Sequence, residues 1–225
     1  MKSAVIVFAN SPLPVLEQGQ TPDPLALAML KDTLRNMEDA DADVFLFLPP
    51  DMDKDWARGV LGQGKFKLAN AMGRNVVVQQ RNAFRLLFVR QYERAIMVPS
   101  AAPDLPGHAI GSALANLGWK AVCVGPTPDA DTAPGEHGVY AIGFHTEGHM
   151  PESFDQVDRG RDKFFTRLET YLLFFERKLN ILPAYRPIRS LDEAGLLAER
   201  CADTRFALLP SVKLASKLAM ARTQA

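Results

Sequence analysis

The residues with the chemistry to meet a ligand are few, and they gather where strands are expected to end. The run Phe8-Ala9-Asn10-Ser11-Pro12-Leu13-Pro14 offers an amide and a hydroxyl, groups that bond a base or a ribose. Asn, Ser and Pro are also turn formers, so a purely conformational role reads equally well. The run Pro99-Ser100-Ala101-Ala102-Pro103-Asp104-Leu105-Pro106 holds a single carboxylate, Asp104. A lone Asp beside proline is more often a turn or cap residue than a ligand. A third stretch brings Asp129, Asp131, Glu136 and His137 close in sequence. Such a set could bind a divalent cation, but its spacing matches neither an EF-hand nor a zinc motif, and a solvated loop explains it equally.

Other chemistry is thinner. His145 and His149 are four apart, but Gly148 lies between them and no helix is expected there, which argues against a helical metal pair. Asp155, Asp158, Arg159, Arg161, Asp162 and Lys163 form a mixed charge run, best read as a solvated helix start, although Arg159 or Arg161 could reach a phosphate. There is no GxGxxG, no Walker-type loop and no GxSxG elbow. The two cysteines, Cys123 and Cys201, read as buried small hydrophobes.

The elements that must position these loops follow from periodicity. Ala4–Ala9, Val44–Leu48 (VFLFL), Asn75–Gln80 (NVVVQQ), Arg94–Pro99, Trp119–Gly125 and Gly138–Phe144 read as strands. Leu27, Leu30, Leu34 and Met37 form the apolar stripe of a helix. Further helices are expected over Arg81–Glu93, Gly107–Leu117 with a stop at Gly118, and Arg161–Lys178. Met52–Asn70 reads as irregular, with a short helix near Trp56, and Leu179–Leu182 as a short strand. Ser190-Leu191-Asp192-Glu193 has capping-box form and opens a helix through about Cys201; the tail after about residue 208 reads as a peripheral helix. Strands alternating with helices predict an α/β domain of three layers, helix–sheet–helix, around a mostly parallel sheet. A single domain spanning 1–225 is the simplest organisation.

Composition narrows the function classes. The 225 residues carry 26 Lys+Arg against 26 Asp+Glu, a zero balance that gives no support to a nucleic-acid protein relying on a bulk positive field. No segment approaches a transmembrane length, and the expectation is a cytoplasmic protein. The aromatic-rich stretch Arg161–Lys178 is explained by core packing or by a homo-oligomer interface.

Taken in order, these loops resemble bacterial proteins of the GT-A, nucleotide-diphospho-sugar transferase type, a glycosyltransferase-like family of unknown function. That family opens with a strand running into FAK-x-P-x-PG; Val7-Phe8-Ala9-Asn10-Ser11-Pro12-Leu13-Pro14 matches it. Its EDTL-like helical segment corresponds to Lys31-Asp32-Thr33-Leu34. Its central signature G-[ST]-D-[ST]-P-D-L-P corresponds to Pro99–Pro106, which follows Ile96-Met97-Val98. A strand ending in Gly125-Pro126 and the run Glu136–Phe144 match its later GP and D-G-G-Y-x-L-x-G-L elements, and Pro187–Ala194 takes the place of D-x-D-T-P-E-D-L.

The resemblance spans roughly residues 4–200 and implies a transferase using a nucleotide or nucleotide-sugar donor. On that reading Ala9, Asn10, Ser11, Pro12 and Ser100 bind the nucleotide, and Arg81 and Arg161 bind phosphate. Asp104 and Glu136 act as metal ligands or general base. It also implies a divalent cation, Mg or Mn. Several departures count against that cation. The family's basic KTRL has no counterpart in Val15–Gln20, its FAK lysine is Asn10, and its signature Asp is Ala101. The Asp before Gly-Gly-Tyr is Glu136, followed by His137, and the Asp before Thr-Pro is Arg189. The alternative is a degenerate relative that keeps the fold and binds a metabolite or a protein.

Overall fold

Alternate residues of the first strand face opposite apolar layers, and this dictates the architecture of the computed structural model, which describes residues 1–132, 138–154, 157 and 163–223. In β1 (Ser3–Phe8) Val5 and Val7 join one cluster, while Ala4, Ile6 and Phe8 join the other. A strand buried on both faces needs helices on both sides. The first cluster packs β1 against α1 (Pro24–Met37), α4 (Gly107–Ala115), α6 (Ala194–Cys201) and α7 (Pro210–Thr223). The second packs it against α3 (Val76–Val89) and α5 (Phe164–Phe174).

The remaining strands are β2 (Asp43–Leu48), β3 (Phe66–Asn70), β4 (Arg94–Val98), β5 (Ala121–Pro126), β6 (Val139–His145) and β7 (Lys178–Ile181), with α2 (Lys54–Leu61) between β2 and β3. They form one seven-stranded sheet ordered β3-β2-β1-β4-β6-β5-β7. Every pairing is parallel except those of β6, which runs antiparallel to both β4 and β5. The start of β6 therefore lies at the same edge of the sheet as the ends of β1 and β4. This is the α/β, three-layer, mostly parallel arrangement that the alternating elements predict.

Two elements correct the sequence reading. Asn75–Gln80 is not a strand. Asn75 is extended and its side-chain oxygen accepts from Val78 N–H at 3.0 Å, so it caps α3, which starts at Val76. The β-branched run favours a strand locally, but the cap and the burial of Ala83, Phe84 and Leu87 on one stripe decide for helix. The strand beside β2 is instead β3, inside the stretch read as irregular. At Ser190 the capping box is altered: the hydroxyl makes no cap bond, and the Glu193 carboxylate accepts from the backbone N–H of Arg189 at 2.8 Å.

Smaller shifts occur at α5, which ends at Phe174 before β7, and at α4, where Gly107 closes on the Asn36 carbonyl at the end of α1. α7 is anchored by a buried carboxylate, Asp32, which accepts from Ser211 N–H at 2.9 Å. The inner stripe of α5 is Phe164, Leu168 and Leu172, while Leu173, Phe174 and Phe175 at its end are exposed. Among the described residues no helix is long and apolar enough to cross a membrane.

Candidate functional site

Open α/β sheets bind ligands beyond the carboxyl ends of their strands. Here a cleft of about 370 Å³ opens at that edge. Its floor is Phe8 of β1 and Met97 and Val98 of β4; one wall is Val139, Tyr140 and Ile142 of β6. The opposite wall combines Val76 and Gln80 of α3, Phe154, and Phe164 and Leu168 of α5. Asn10–Pro12, Pro187 and Arg189 also line it.

The expected nucleotide-binding loop is here, and its side chains are turned to holding it in shape. The Asn10 oxygen accepts from Val15 and Leu16 N–H at 2.9 and 2.8 Å, and its amide donates to the Leu16 carbonyl at 2.8 Å. Ser100 is fully buried; both its hydroxyl and its N–H donate to the Ser11 carbonyl, at 2.8 and 3.0 Å. Ala9 is also fully buried and donates its N–H to Phe47 O at 2.9 Å. Ser100 and Ala9 thus lie beneath the cleft surface, while Asn10, Ser11 and Pro12 line it.

Asp104 is not at the cleft. Its Oδ1 accepts from the Tyr185 hydroxyl at 2.8 Å and from Arg200 Nη2 at 2.6 Å, and its side chain is only 11% exposed. Arg200 also bonds the Tyr185 hydroxyl at 3.1 Å and stacks over its ring. Burial raises the Tyr185 hydroxyl pKa well above its ordinary value, so it stays a proton donor. Asp104 ties the β4–α4 loop to α6 and is not among the residues lining the cleft. Arg81 sits half-buried on α3, one residue past Gln80, outside the cleft lining. Glu136, His137 and Arg161 lie outside the described residues.

Among the described residues lining the cleft the cation is Arg189, which in the sequence stands only where the resemblance expects an aspartate. Its guanidinium grips Asp129 through two bonds, Nη1 to Oδ2 at 3.0 Å and Nη2 to Oδ1 at 3.1 Å. That paired bond holds the Asp129 carboxyl at about 2. Glu193 fixes the Arg189 backbone, as described above. Ile188 N–H donates to the Ala101 carbonyl at 3.0 Å. Two positions where the resemblance expects an aspartate, that of the central signature and that before Thr-Pro, are therefore neighbours through backbone packing. One is now a buried alanine, 1% exposed, and the other an arginine.

Among the described residues the donor set does not fit a divalent cation. Asp129 is taken by Arg189, and Asp131 accepts from the Thr166 hydroxyl at 2.6 Å. Among the described residues, no three His, Cys, Asp or Glu are placed to hold a metal. The signal in the sequence was the pairing of an arginine at a carboxylate position with an acidic loop upstream, but nothing local says that the two meet.

A second hollow of about 420 Å³ lies between residues 14–23 and Pro49–Met52. It is lined by Glu17, Asp23 and Asp51 with no Lys or Arg, which repels rather than gathers phosphate. Asp23 is occupied in capping α1, accepting from Leu25 and Ala26 N–H at 2.9 Å.

No protein-family profile matches this chain, and no curated protein matches it. Solved structures do. A protein of Desulfovibrio desulfuricans G20, described as a candidate nucleotide-diphospho-sugar transferase, superposes with a TM-score of 0.82 at 19% identity, covering 100% of this chain and 98% of that one. A 4-diphosphocytidyl-2C-methyl-D-erythritol synthase gives 0.57 at 14% identity over 87% and 96% of the two chains. A cytidylyltransferase of Leptospira borgpetersenii gives 0.51 at 11% identity over 99% and 94%. At these identities the likeness is one of fold. Seven strands in the order found, one of them reversed beside the cleft, give this chain the nucleotide-diphospho-sugar transferase fold.

Proposed function

We propose that this chain is a transferase acting on a nucleotide-activated donor, moving a glycosyl or nucleotidyl group without a carboxylate-held metal. The donor lies along residues 9–12, with its phosphates toward Arg189, and Arg81 and Arg161 are further cations assigned to the phosphates. The observation that carries this reading is Arg189 itself. It is the cationic side chain among the described residues of the cleft lining, and its segment packs on Ala101, where the resemblance expects a metal-binding aspartate. A guanidinium can meet phosphate with two parallel bonds, which a point charge cannot. In the transfer, an acceptor oxygen bonds the donor's anomeric carbon or α-phosphorus. The bond to the leaving phosphate breaks, and the acceptor's proton passes to solvent.

A second reading is favoured by one observation: the described lining of the cleft contains no carboxylate and no histidine to act as a base. On this reading the chain binds a nucleotide or another metabolite and does not turn it over. The two separate in one assay. Purified protein is incubated with nucleoside triphosphates and nucleotide sugars over an acceptor panel in chelator, with release of pyrophosphate or nucleoside diphosphate followed. Release that requires Arg189 supports the transferase. Binding without release in any combination supports the second reading and sinks the first.

A further inference from the structure

The end of the Arg189 guanidinium is already taken by an acid. Nη1 and Nη2 each meet one oxygen of Asp129, at 3.0 and 3.1 Å. This is the paired geometry in which a guanidinium also takes two oxygens of a phosphoryl group. Asp129 comes from the loop after β5, whereas Arg189 lines the cleft and has its backbone fixed by Glu193. Glu193 also lies 3.5 Å from Arg186, so its charge has a partner of its own. The next carboxylate of the loop, Asp131, accepts from Thr166 on α5. Neither member of the Arg189–Asp129 pair is sealed: their side chains are 15% and 30% exposed, so water reaches the contact. An ion pair that water reaches is weak, and an incoming anion can displace its acid. A phosphoryl group brings more charge than a carboxylate and three acceptor oxygens. Two anions held on one guanidinium would repel each other.

From this geometry we infer that Asp129 holds the phosphate place on Arg189, as an internal competitor that an incoming phosphoryl anion displaces. The pair is a latch: binding exchanges one carboxylate for phosphoryl oxygens and frees the loop after β5 from the segment that carries Arg189. Naming the anion as the donor's diphosphate rests on the transferase reading; the exchange of acids on Arg189 does not. Asp129 therefore lowers the affinity of Arg189 for anions, and removing its charge raises it. A residue that only positioned Arg189 would act in the opposite direction.

The test is calorimetric titration of the full chain with inorganic pyrophosphate in chelator, for wild type, Asp129→Asn, Asp131→Asn and the double variant Asp129→Asn/Arg189→Ala. Asparagine keeps the shape of Asp129 and loses its charge. Asp131→Asn makes the same charge change two residues on, at an exposed side chain bonded to Thr166 instead. The expected result is pyrophosphate bound about tenfold more tightly by Asp129→Asn than by wild type. Asp131→Asn is expected to match wild type, and the double variant to lose the gain. Weaker or unchanged binding by Asp129→Asn, an equal gain from Asp131→Asn, or no binding by any of the proteins overturns the inference. Asp129→Ala repeats the comparison, so that a misfolded single variant, seen by circular dichroism, does not decide it. The same proteins enter the release assay with nucleoside triphosphates and nucleotide sugars. A gain in pyrophosphate affinity with no release would leave the exchange standing and remove the transferase reading. Release that needs Arg189, with no gain from Asp129→Asn, would do the reverse.

Discussion

At the residue scale the account turns on Arg189 and its partner. The pair is partly exposed, 15% and 30%, so as a stabilising contact it contributes little, of the order of 1 kcal/mol. Its weight lies in binding. Arg189→Ala is expected to leave the protein folded and to weaken nucleotide affinity about tenfold, and Arg189→Lys to rescue only part of that, because an ammonium cannot make the paired bonds; isothermal calorimetry on the three proteins measures it.

The same pair sets a pH dependence. Asp129 titrates at about 2 in the folded chain, below the unfolded carboxylate. Its contribution is present above about pH 4 and is lost as pH falls toward 2. The stability gap between wild type and Asp129→Asn, read from urea midpoints, should therefore close over that window and stay constant above it. His149 behaves in the same direction at higher pH. It is packed between the Phe84, Phe88 and Phe144 rings, and burial holds its pKa at about 4. A folded pKa depressed below the unfolded value of about 6.5 means that stability falls as pH drops from about 6.5 toward 4. His149→Leu should flatten that part of the curve; an unchanged slope would show that His149 is charged in the fold.

At the scale of elements, the helices are held by contacts that sequence periodicity does not reveal. Gly107 begins α4 directly against the Asn36 carbonyl at the end of α1, where a Cβ has no room. Gly107→Ala should cost about 1–3 kcal/mol or more, read from the denaturation midpoint, by driving α4 off α1. Gly59→Ala on the exposed side of α2, with open space around it, is the neutral comparison. The strands β1, β2, β4, β5 and β6 were legible because each is a short apolar run ended by a turn former. β3 was not: Phe66-Lys67-Leu68-Ala69-Asn70 lies at the sheet edge, and its outward residues are polar or half-buried. Asn75–Gln80 misled because β-branched residues favour strand locally, and only the Asn75 cap and the α3 stripe reverse that.

The site divides in the same way. That ligands meet the loops after β1 and β4 was readable, because it follows from a parallel sheet. That the side chains of Asn10, Ser100 and Asp104 are spent on contacts within the protein was not, because their partners are set by the folded chain: Leu16, Ser11, Tyr185 and Arg200. Arg189 escaped for the opposite reason. Its role comes from Ala101 and Asp129, some 88 and 60 residues away along the chain, which the fold brings beside it.

At the scale of the whole molecule, a chain of zero net charge places a cleft at the open edge of its sheet whose described lining is mostly apolar and carries Arg189. Two aspartates that the resemblance expects are an alanine and an arginine here, and the hollow beside the first loop is acidic. On the proposed reading, a nucleotide-diphospho-sugar transferase fold does its work without a carboxylate-held divalent cation. The most direct test is calorimetric titration of the full chain with nucleoside diphosphates and nucleotide sugars, once in EDTA and once in Mn²⁺. The account predicts binding of equal affinity in both, lost on Arg189→Ala. Binding that appears only with Mn²⁺, or that survives the loss of Arg189, would contradict it.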